Sequence, residues 1–580
     1  MQEKIKNLIK DALKNLDIEA SNIVLEHPED LKNGDYSTNV AMAVAKSVKS
    51  SPKELAAKIV AEILRLNLDK YIEKVEIAGG GFINFHLSRK FFGQSIEEIL
   101  NKADDVGKND VQAGKKIMIE YTNPNPFKPF HIGHLMTNAI GESVARILEH
   151  SGAEISRANY QGDVGLHVAK AIFGMHKKSI PSGTTVPITV LAQYIGDSYA
   201  AGSEAYEIDN EAKVEIDSLN KKIYDRSDDL MNEVYDWGFK VSMEAFEDIY
   251  KILGTKFDFY FLESQMAPIG ERIVKDNLGK VFEESQGAIV FRAEKYDPKL
   301  HTRVFITSLG LPTYETKELG LTEEKFKTEP GLSLSIVITA NEQMDYMKVV
   351  AKAISLIHPE QEKKMLHIAH GMMRLAPEAT AEGFSSDKMS SRSGNVVTGV
   401  SLINDVRDMI LEKMTDREFP NEEREKIAMD VGVAAIKYSI LKQSIGADII
   451  YDFESSISLE GDSGPYLQYA YARANSLIEK AVKENILPDP HAMPPQIFEV
   501  EKLLYRFPEV VLRSARGYEP HYIANYLILV ARAFNSFYGN TQIVDKKDKT
   551  SPYKIALTYA CAFIMKSGLR LLGINAPAKL

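Results

Sequence analysis

Cysteine is almost absent: Cys561 is the only one in 580 residues. It cannot close an intramolecular disulfide, and no cluster of Cys with His offers a zinc site, so no structural metal is expected and a reducing, cytoplasmic compartment is. No stretch approaches the roughly 18 apolar residues of a membrane span. The N-terminus, MQEKIKNLIKDALKNL, is amphipathic and charged and lacks the apolar centre of an export signal. Neither export nor membrane insertion is expected. Internal repeats and low-complexity tracts are also missing. Basic charge is in deficit, with 70 Lys+Arg against 81 Asp+Glu and a net charge of −11. Taken over the whole chain, that deficit argues mildly against a protein that coats nucleic acid.

The composition itself, 44% hydrophobic and 26% charged, is that of a globular protein long enough for about three or four domains. Residues 1–110 read as a mixed α+β unit: a helix from Glu3 to Leu16, another from Pro52 to Leu66, then VEIAGGGFINFHL, two strands meeting at a glycine turn. A polar stretch near 105–112 separates it from KIMIEYTNPNPFKPFHIGHLMTNAIGESVARILEHSG. There Ile117–Tyr121 is a short strand, Pro124, Pro126 and Pro129 keep the loop out of helix, and apolar residues from Gly133 onward take helical spacing. The strand AEISRANY follows. Strand, loop, helix, strand is a βαβ unit, so residues 111–454 are expected to form a doubly wound parallel sheet of Rossmann type. An acidic, mainly helical insertion over about 180–300 is expected to split it, with LSLSIVITA (332–340) returning to the sheet. Residues 455–580 read as all-α, with periodic segments at 464–485, 496–515, 519–538 and 551–572.

Two constellations carry chemistry. Lys128-Pro129-Phe130-His131-Ile132-Gly133-His134 lies between a strand and its helix, where Gly133 lets a ligand approach the backbone and the helix N-terminus favours phosphate. His131 and His134 are three apart, so both imidazoles reach the same side. An arbitrary pair of this spacing is more often a cap or surface feature; its place at the carboxyl end of a parallel strand reverses those odds. The second constellation is the loop 387–395, with Asp387, Lys388, Met389, Ser390, Ser391, Arg392, Ser393 and Gly394: two cations and three hydroxyls able to close over a triphosphate.

At these residues the chain resembles the class I aminoacyl-tRNA synthetases. The ordered set IEYTNPNPFKPFHIGH, RANYQGDVG, LPTYETKELG, GMMRL, DKMSSRSGNVV and GDSGPYLQYAYAR, with the tail LLGINAPAKL, is similar to the arginyl-tRNA synthetases over nearly the whole chain. The resemblance implies a two-step reaction: arginine's carboxylate attacks the α-phosphorus of ATP, and a ribose hydroxyl of tRNA(Arg), the 2′ one in class I, then takes the arginyl group. ATP is a substrate that carries its own Mg2+, and a monomer is expected. His131, His134, Gly133, Lys388, Met389 and Ser390 are implied for ATP, with Arg392 on the closing loop. Ser391 stands where the general class I loop has its second lysine, and Lys128 resembles the lysine that replaces it.

Family comparison carries arginine binding onto Glu120 and Asn125, expected at the α-amino end, onto Tyr314 and Glu318, expected at the guanidinium, and onto Gln343. Glu318 is a longer acid than the Asp frequent there, and Val164 and His167 depart from the common Trp and Gln. Asp163 is a weaker candidate, with turn capping as its alternative role. For tRNA the resemblance implies the N-terminal domain at the elbow, with Asn84 and Phe85, and the helical domain at the anticodon, with Tyr466, Tyr469 and Tyr538. A synthetase for another amino acid, or a non-catalytic tRNA-binding paralogue, are the rival readings. The regional charge bears on the first inference: residues 455–580 hold 15 basic and 11 acidic residues, whereas 203–300 hold 13 and 22. The proposed anticodon region is the one net-basic part, and Lys546 and Lys547 are expected along the tRNA path.

Overall fold

The computed structural model describes residues 1–20, 22–66, 68–177, 181, 186–376, 398–414 and 420–580. In α1 (Gln2–Asn15) the buried residues are Ile5, Ile9, Ala12 and Leu13, one helical face. β1 (Tyr36–Thr38), α2 (Val40–Ala45) and α3 (Pro52–Arg65) follow. Ser51 caps α3 by accepting from the Glu54 N–H, and Pro52 takes its first turn. β2 (Ile72–Ala78) and β3 (Phe82–Leu87) form the antiparallel hairpin expected at the triple glycine, and the sheet order is β1-β3-β2. α4 (Arg89–Lys102) leads out of this unit.

β4 (Lys116–Glu120), α5 (Ile132–His150) and β5 (Glu154–Gln161) are the parallel βαβ unit. Four helices follow: α6 (Leu166–His176), α7 (Ile188–Ile208), α8 (Asn210–Asp225) and α9 (Asp229–Leu253), with their own core around Ile172, Ile195, Ile216 and Val241. The chain then returns to the sheet as β6 (Phe259–Leu262) and continues into α10 (Glu263–Asp276). A small antiparallel sheet comes next, β7 (Glu283–Ser285), β8 (Ala288–Phe291) and β9 (Arg303–Ile306), followed by α11 (Tyr314–Thr328). β10 (Leu334–Ala340), α12 (Met344–Ile357) and β11 (Met365–His370) complete a sheet of order β11-β10-β4-β5-β6 in which every neighbouring pair is parallel.

The insertion expected over 180–300 needs correction, because it contains a strand of the central sheet. Two excursions split the sheet, one on each side of β6. The tetrapeptide FYFL is too short and too uniformly apolar to show alternation, so only its register with β5, Ala158 against Phe259 through Gln161 against Leu262, identifies it.

Beyond β12 (Met373–Leu375) come α13 (Gly399–Lys413), α14 (Asn421–Leu441), β13 (Ile449–Tyr451), α15 (Gly464–Lys483), α16 (Phe507–Gly517), α17 (His521–Asn540) and α18 (Ser551–Leu571). The segment expected at 496–515 is broken, with a short turn at Glu501–Leu504 before Pro508 opens α16. One core joins the sheet to these helices: Leu135, Ile140 and Leu148 of α5 belong with Val431, Leu467, Leu527 and Ile564. The N-terminal sheet docks on α16, where Glu509 accepts from the Tyr36 hydroxyl at 2.6 Å and lies 2.9 Å from His27 Nε2. Among the described residues no helix is long and apolar enough to cross a membrane.

Candidate active site

The sheet changes winding direction between β4 and β10, and the carboxyl ends of those strands border the crevice where such sheets bind ligands. The loop leaving β4 holds three non-glycine residues in the left-handed region, Thr122 (φ 75°), Asn123 (φ 48°) and Phe127 (φ 67°). Such conformations cost about 1–3 kcal/mol each and persist only where the surroundings impose them. Here Asn138 Nδ2 donates to Thr122 Oγ1 (3.0 Å), the Tyr160 N–H to Asn123 Oδ1 (2.9 Å) and the Phe127 N–H to Ser242 Oγ (3.0 Å).

This braced loop delivers His131 to the N-cap of α5 and His134 one turn in. Their rings stack with centroids 3.5 Å apart and planes 20° from parallel. Gly133 is required by that stack: a Cβ there would lie 2.9 Å from His131 Cε1. The His131 N–H donates to His134 Nδ1 at 3.2 Å, so the His134 proton resides on Nε2. Burial, reinforced by the Lys128 charge, lowers His131 to about 4, and burial holds His134 well below the usual imidazole range. Both rings are therefore neutral hydrogen-bond donors at pH 7. Lys128 supplies positive charge beside them, its Nζ 5.4 Å from the Tyr199 ring centre. Lys388, Met389, Ser390 and Arg392 lie outside the described residues. Thr398 bridges to His131, and the Gly399 N–H donates to the Phe130 carbonyl at 2.7 Å.

On the other side of the crevice, buried Glu120 ends β4, pairs with Lys325 of α11 and accepts from Asn123 Nδ2 at 2.8 Å. Glu318 lies two turns before Lys325 on the same helix. Burial first, and then the negative charge of Glu120, raise its carboxyl to about 8, against the opposing cation of Lys325. Among the described residues no side chain donates a hydrogen bond to that carboxylate. Glu263, opening α10, pairs with Lys317 at 2.6 Å, and burial still raises its pKa. Tyr314 opens α11, 65% exposed, with its ring centre 5.2 Å from Lys317 Nζ. Gln343 follows β10 and its Oε1 takes a 3.4 Å hydrogen bond from Tyr346. Asn125 Oδ1 accepts from the Gly162 N–H at 2.9 Å; a Cβ on Gly162 would come within 2.8 Å of that oxygen and 3.1 Å of Glu263 Oε1.

Glu120 and Glu318 thus lie close to each other, Asn125 lies beside Gly162 near Glu263, and His131 stacks on His134 at the start of α5. Lys325, Lys317, Glu263, Tyr160 and Tyr346 were not singled out from the sequence. The spacing of Glu318 and Lys325, seven residues on one helix face, was the available signal. The Asp163 carboxylate is taken by Ser264 N–H (2.9 Å), Ser264 Oγ (2.6 Å) and the Tyr235 hydroxyl (3.1 Å), which is the capping role.

Three expected RNA contacts need correction. Phe85 is fully buried and Asn84 only 3% exposed, its Oδ1 accepting from Ser37 Oγ. Phe85 faces the packed side of the central strand β3 with Ile83 and Leu87, whereas Asn84 points to the opposite face, which it shares with Phe82, the exposed ring of that hairpin at 40%. Tyr466 is also buried, its hydroxyl accepting from Asn535 Nδ2 at 2.9 Å. It supports rather than presents a surface. Tyr469 and Tyr538 are accessible, and Arg473 lies between them with its guanidinium carbon 4.6 Å from each ring centre. Lys546 forms an exposed ion pair with Glu484 at 2.8 Å.

A Rossmann sheet with this His-Ile-Gly-His helix start at its switch point is the catalytic core of a class I aminoacyl-tRNA synthetase. The family described as "tRNA synthetases class I (R), catalytic domain" matches residues 95–453, the "Arginyl tRNA synthetase N terminal domain" residues 3–87 and the "DALR anticodon binding domain" residues 467–580. Arginine–tRNA ligases of Borrelia hermsii and Clostridium perfringens are 29% and 28% identical, over 100% and 99% of this chain and 100% of each relative. The arginyl-tRNA synthetase structure of Thermus thermophilus superposes with a TM-score of 0.79 at 23% identity, covering 100% of both chains, and that of Plasmodium falciparum with 0.76 at 19%, covering 100% and 99%. The chain belongs to the arginyl-tRNA synthetase family.

Proposed function

We propose that the chain joins L-arginine to tRNA(Arg) through an arginyl-adenylate, releasing pyrophosphate and AMP, in the crevice between β4 and β10. The observation that carries this reading is the buried pair Glu120 and Glu318. Two carboxylates out of water are costly unless cations meet them, and Lys325 makes its direct ion pair with Glu120, leaving Glu318 raised to about 8. A guanidinium is planar, permanently charged and rich in donors, and suits Glu318. The closeness of Glu120 to Glu318 supports moving Glu120 from the α-amino group to the guanidinium end. Asn125, whose amide nitrogen stays available, and Gln343 then serve the α-amino and carboxylate end, with Tyr314 at the mouth.

ATP binds with Mg2+ on its phosphates at the N-terminus of α5. His131 and His134 donate to phosphate oxygens as neutral imidazoles, Gly133 keeps the two rings stacked, and Lys128 offsets phosphate charge. Lys388, Met389, Ser390 and Arg392 are assigned to the phosphates by family resemblance, and they lie a few residues before Thr398, which bridges to His131. A carboxylate oxygen of arginine attacks the α-phosphorus, the bond to pyrophosphate breaks, and the leaving charge falls on these donors. The ribose hydroxyl then attacks the arginyl carbon and AMP leaves. Arg473 with Tyr469 and Tyr538 offers stacking faces and a cation to unpaired anticodon bases, and Phe82 a ring to the tRNA elbow. A monomer acting in the cytoplasm is proposed alongside, consistent with a single, fully buried cysteine.

The test is ATP–pyrophosphate exchange with each of the twenty amino acids, with and without tRNA(Arg). Exchange is expected with arginine alone and only when tRNA is present. Absence of exchange under both conditions, or unchanged arginine activation in Glu318→Gln, overturns the assignment.

A further inference from the structure

One buried polar group on the side of the sheet that faces α11 has no hydrogen-bond partner in the folded protein. The hydroxyl of Tyr160 is shielded from solvent and has no hydrogen-bond partner. Its residue lies near the carboxyl end of β5, paired with Phe261 of β6 and one strand from Glu120 of β4. Alternation along β5 sends Asn159 to the α9 side, where its Nδ2 donates to the Tyr250 hydroxyl, and Tyr160 to the opposite side with Ala158, Phe261, Met266 and Leu321. That is the side of α11, which carries Glu318. Burial and then the charges of Glu263, Glu318 and Glu120 all raise the Tyr160 pKa, so the phenol keeps its proton.

The neighbouring charged heads are already committed, Glu120 to Lys325 and Asn123, Glu263 to Lys317. Glu318 and Tyr160 are not. A phenol brings one donor and two lone pairs, whereas a guanidinium brings donors only, five of them in a fixed plane. A cation held by two carboxylates leaves donors over, and an unpaired buried hydroxyl is a standing cost that such a ligand removes.

We propose that Tyr160 is a specificity-determining residue of the amino-acid pocket, its oxygen accepting from the guanidinium of arginine while its O–H donates to Glu318. This rests on the reading of the pocket above. Tyr160→Phe removes the hydroxyl and keeps the ring. In tRNA-dependent ATP–pyrophosphate exchange the KM for arginine should rise about tenfold, the effect of one hydrogen bond to a charged partner. The KM for ATP and kcat should stay within twofold, a split that general loosening of the sheet would not produce. Tyr160→Met, which fills the space without a hydroxyl, should show the same split and serves if the Phe variant misfolds. A folded variant whose KM for arginine stays within twofold of the parent, while Glu318→Gln has lost arginine activation, overturns the role of Tyr160. Loss of nothing in Glu318→Gln instead overturns the pocket reading itself.

Discussion

Arginine should bind more tightly as the pH rises, because the pocket must shed a proton to receive it. In the empty site burial and the charge of Glu120 raise Glu318 to about 8. A guanidinium stays protonated and pairs with a carboxylate, not with a carboxylic acid, so binding selects the ionised form and expels the proton. Affinity then follows the ionised fraction, which for a pKa near 8 is about 0.03 at pH 6.5 and about 0.76 at pH 8.5. The Kd should fall about 25-fold over that interval, equivalent to about 1.9 kcal/mol. Neither imidazole of the phosphate site titrates in this window, since His131 is held at about 4 and His134 is also lowered. Calorimetric titration with arginine at pH 7, repeated in buffers of different protonation enthalpy, should count about 0.9 proton released per arginine bound. Glu318→Gln should bind weakly and show no pH dependence. A parent Kd constant within twofold from pH 6.5 to 8.5, without proton release, refutes the reasoning.

Gly133→Ala should push the His131 ring out of its stack, because the new methyl would sit 2.9 Å from Cε1; kcat for exchange should drop about tenfold or more with the KM for arginine little changed. For the parent, kcat/KM for ATP should show no inflection near pH 6.5, and one there would mean that the histidines act as cations. Arg473→Ala should raise the KM for tRNA(Arg) in aminoacylation about tenfold and reduce the salt slope of binding by about 1. Lys546→Glu, at a lysine already paired with Glu484, should change tRNA binding less than twofold, and a larger loss would place that loop on the RNA path.

Much of the central sheet was legible because its signals are local. The prolines after Tyr121, the helical spacing from Gly133 and the apolar run LSIVITA each determine their own element within a few residues. β6 was not, since four consecutive apolar residues carry no period of their own. The RNA-facing side chains divided in the same way: an aromatic in a strand or helix pattern can stack on a base or fill a core, and Phe85 and Tyr466 went to the core because neighbouring elements cover them.

For the site, the sequence by itself determined which chemical groups are present and where phosphate is proposed to bind, because the histidines, the glycine between them and the helix start are contiguous. The pairing of Glu120 with Lys325, the crowding of Glu318 by Glu120 and the unpartnered hydroxyl of Tyr160 were decided only when distant segments met at the carboxyl ends of the central strands. Ionisation depends on burial and on charges a few ångströms away, and these are properties of the packed chain.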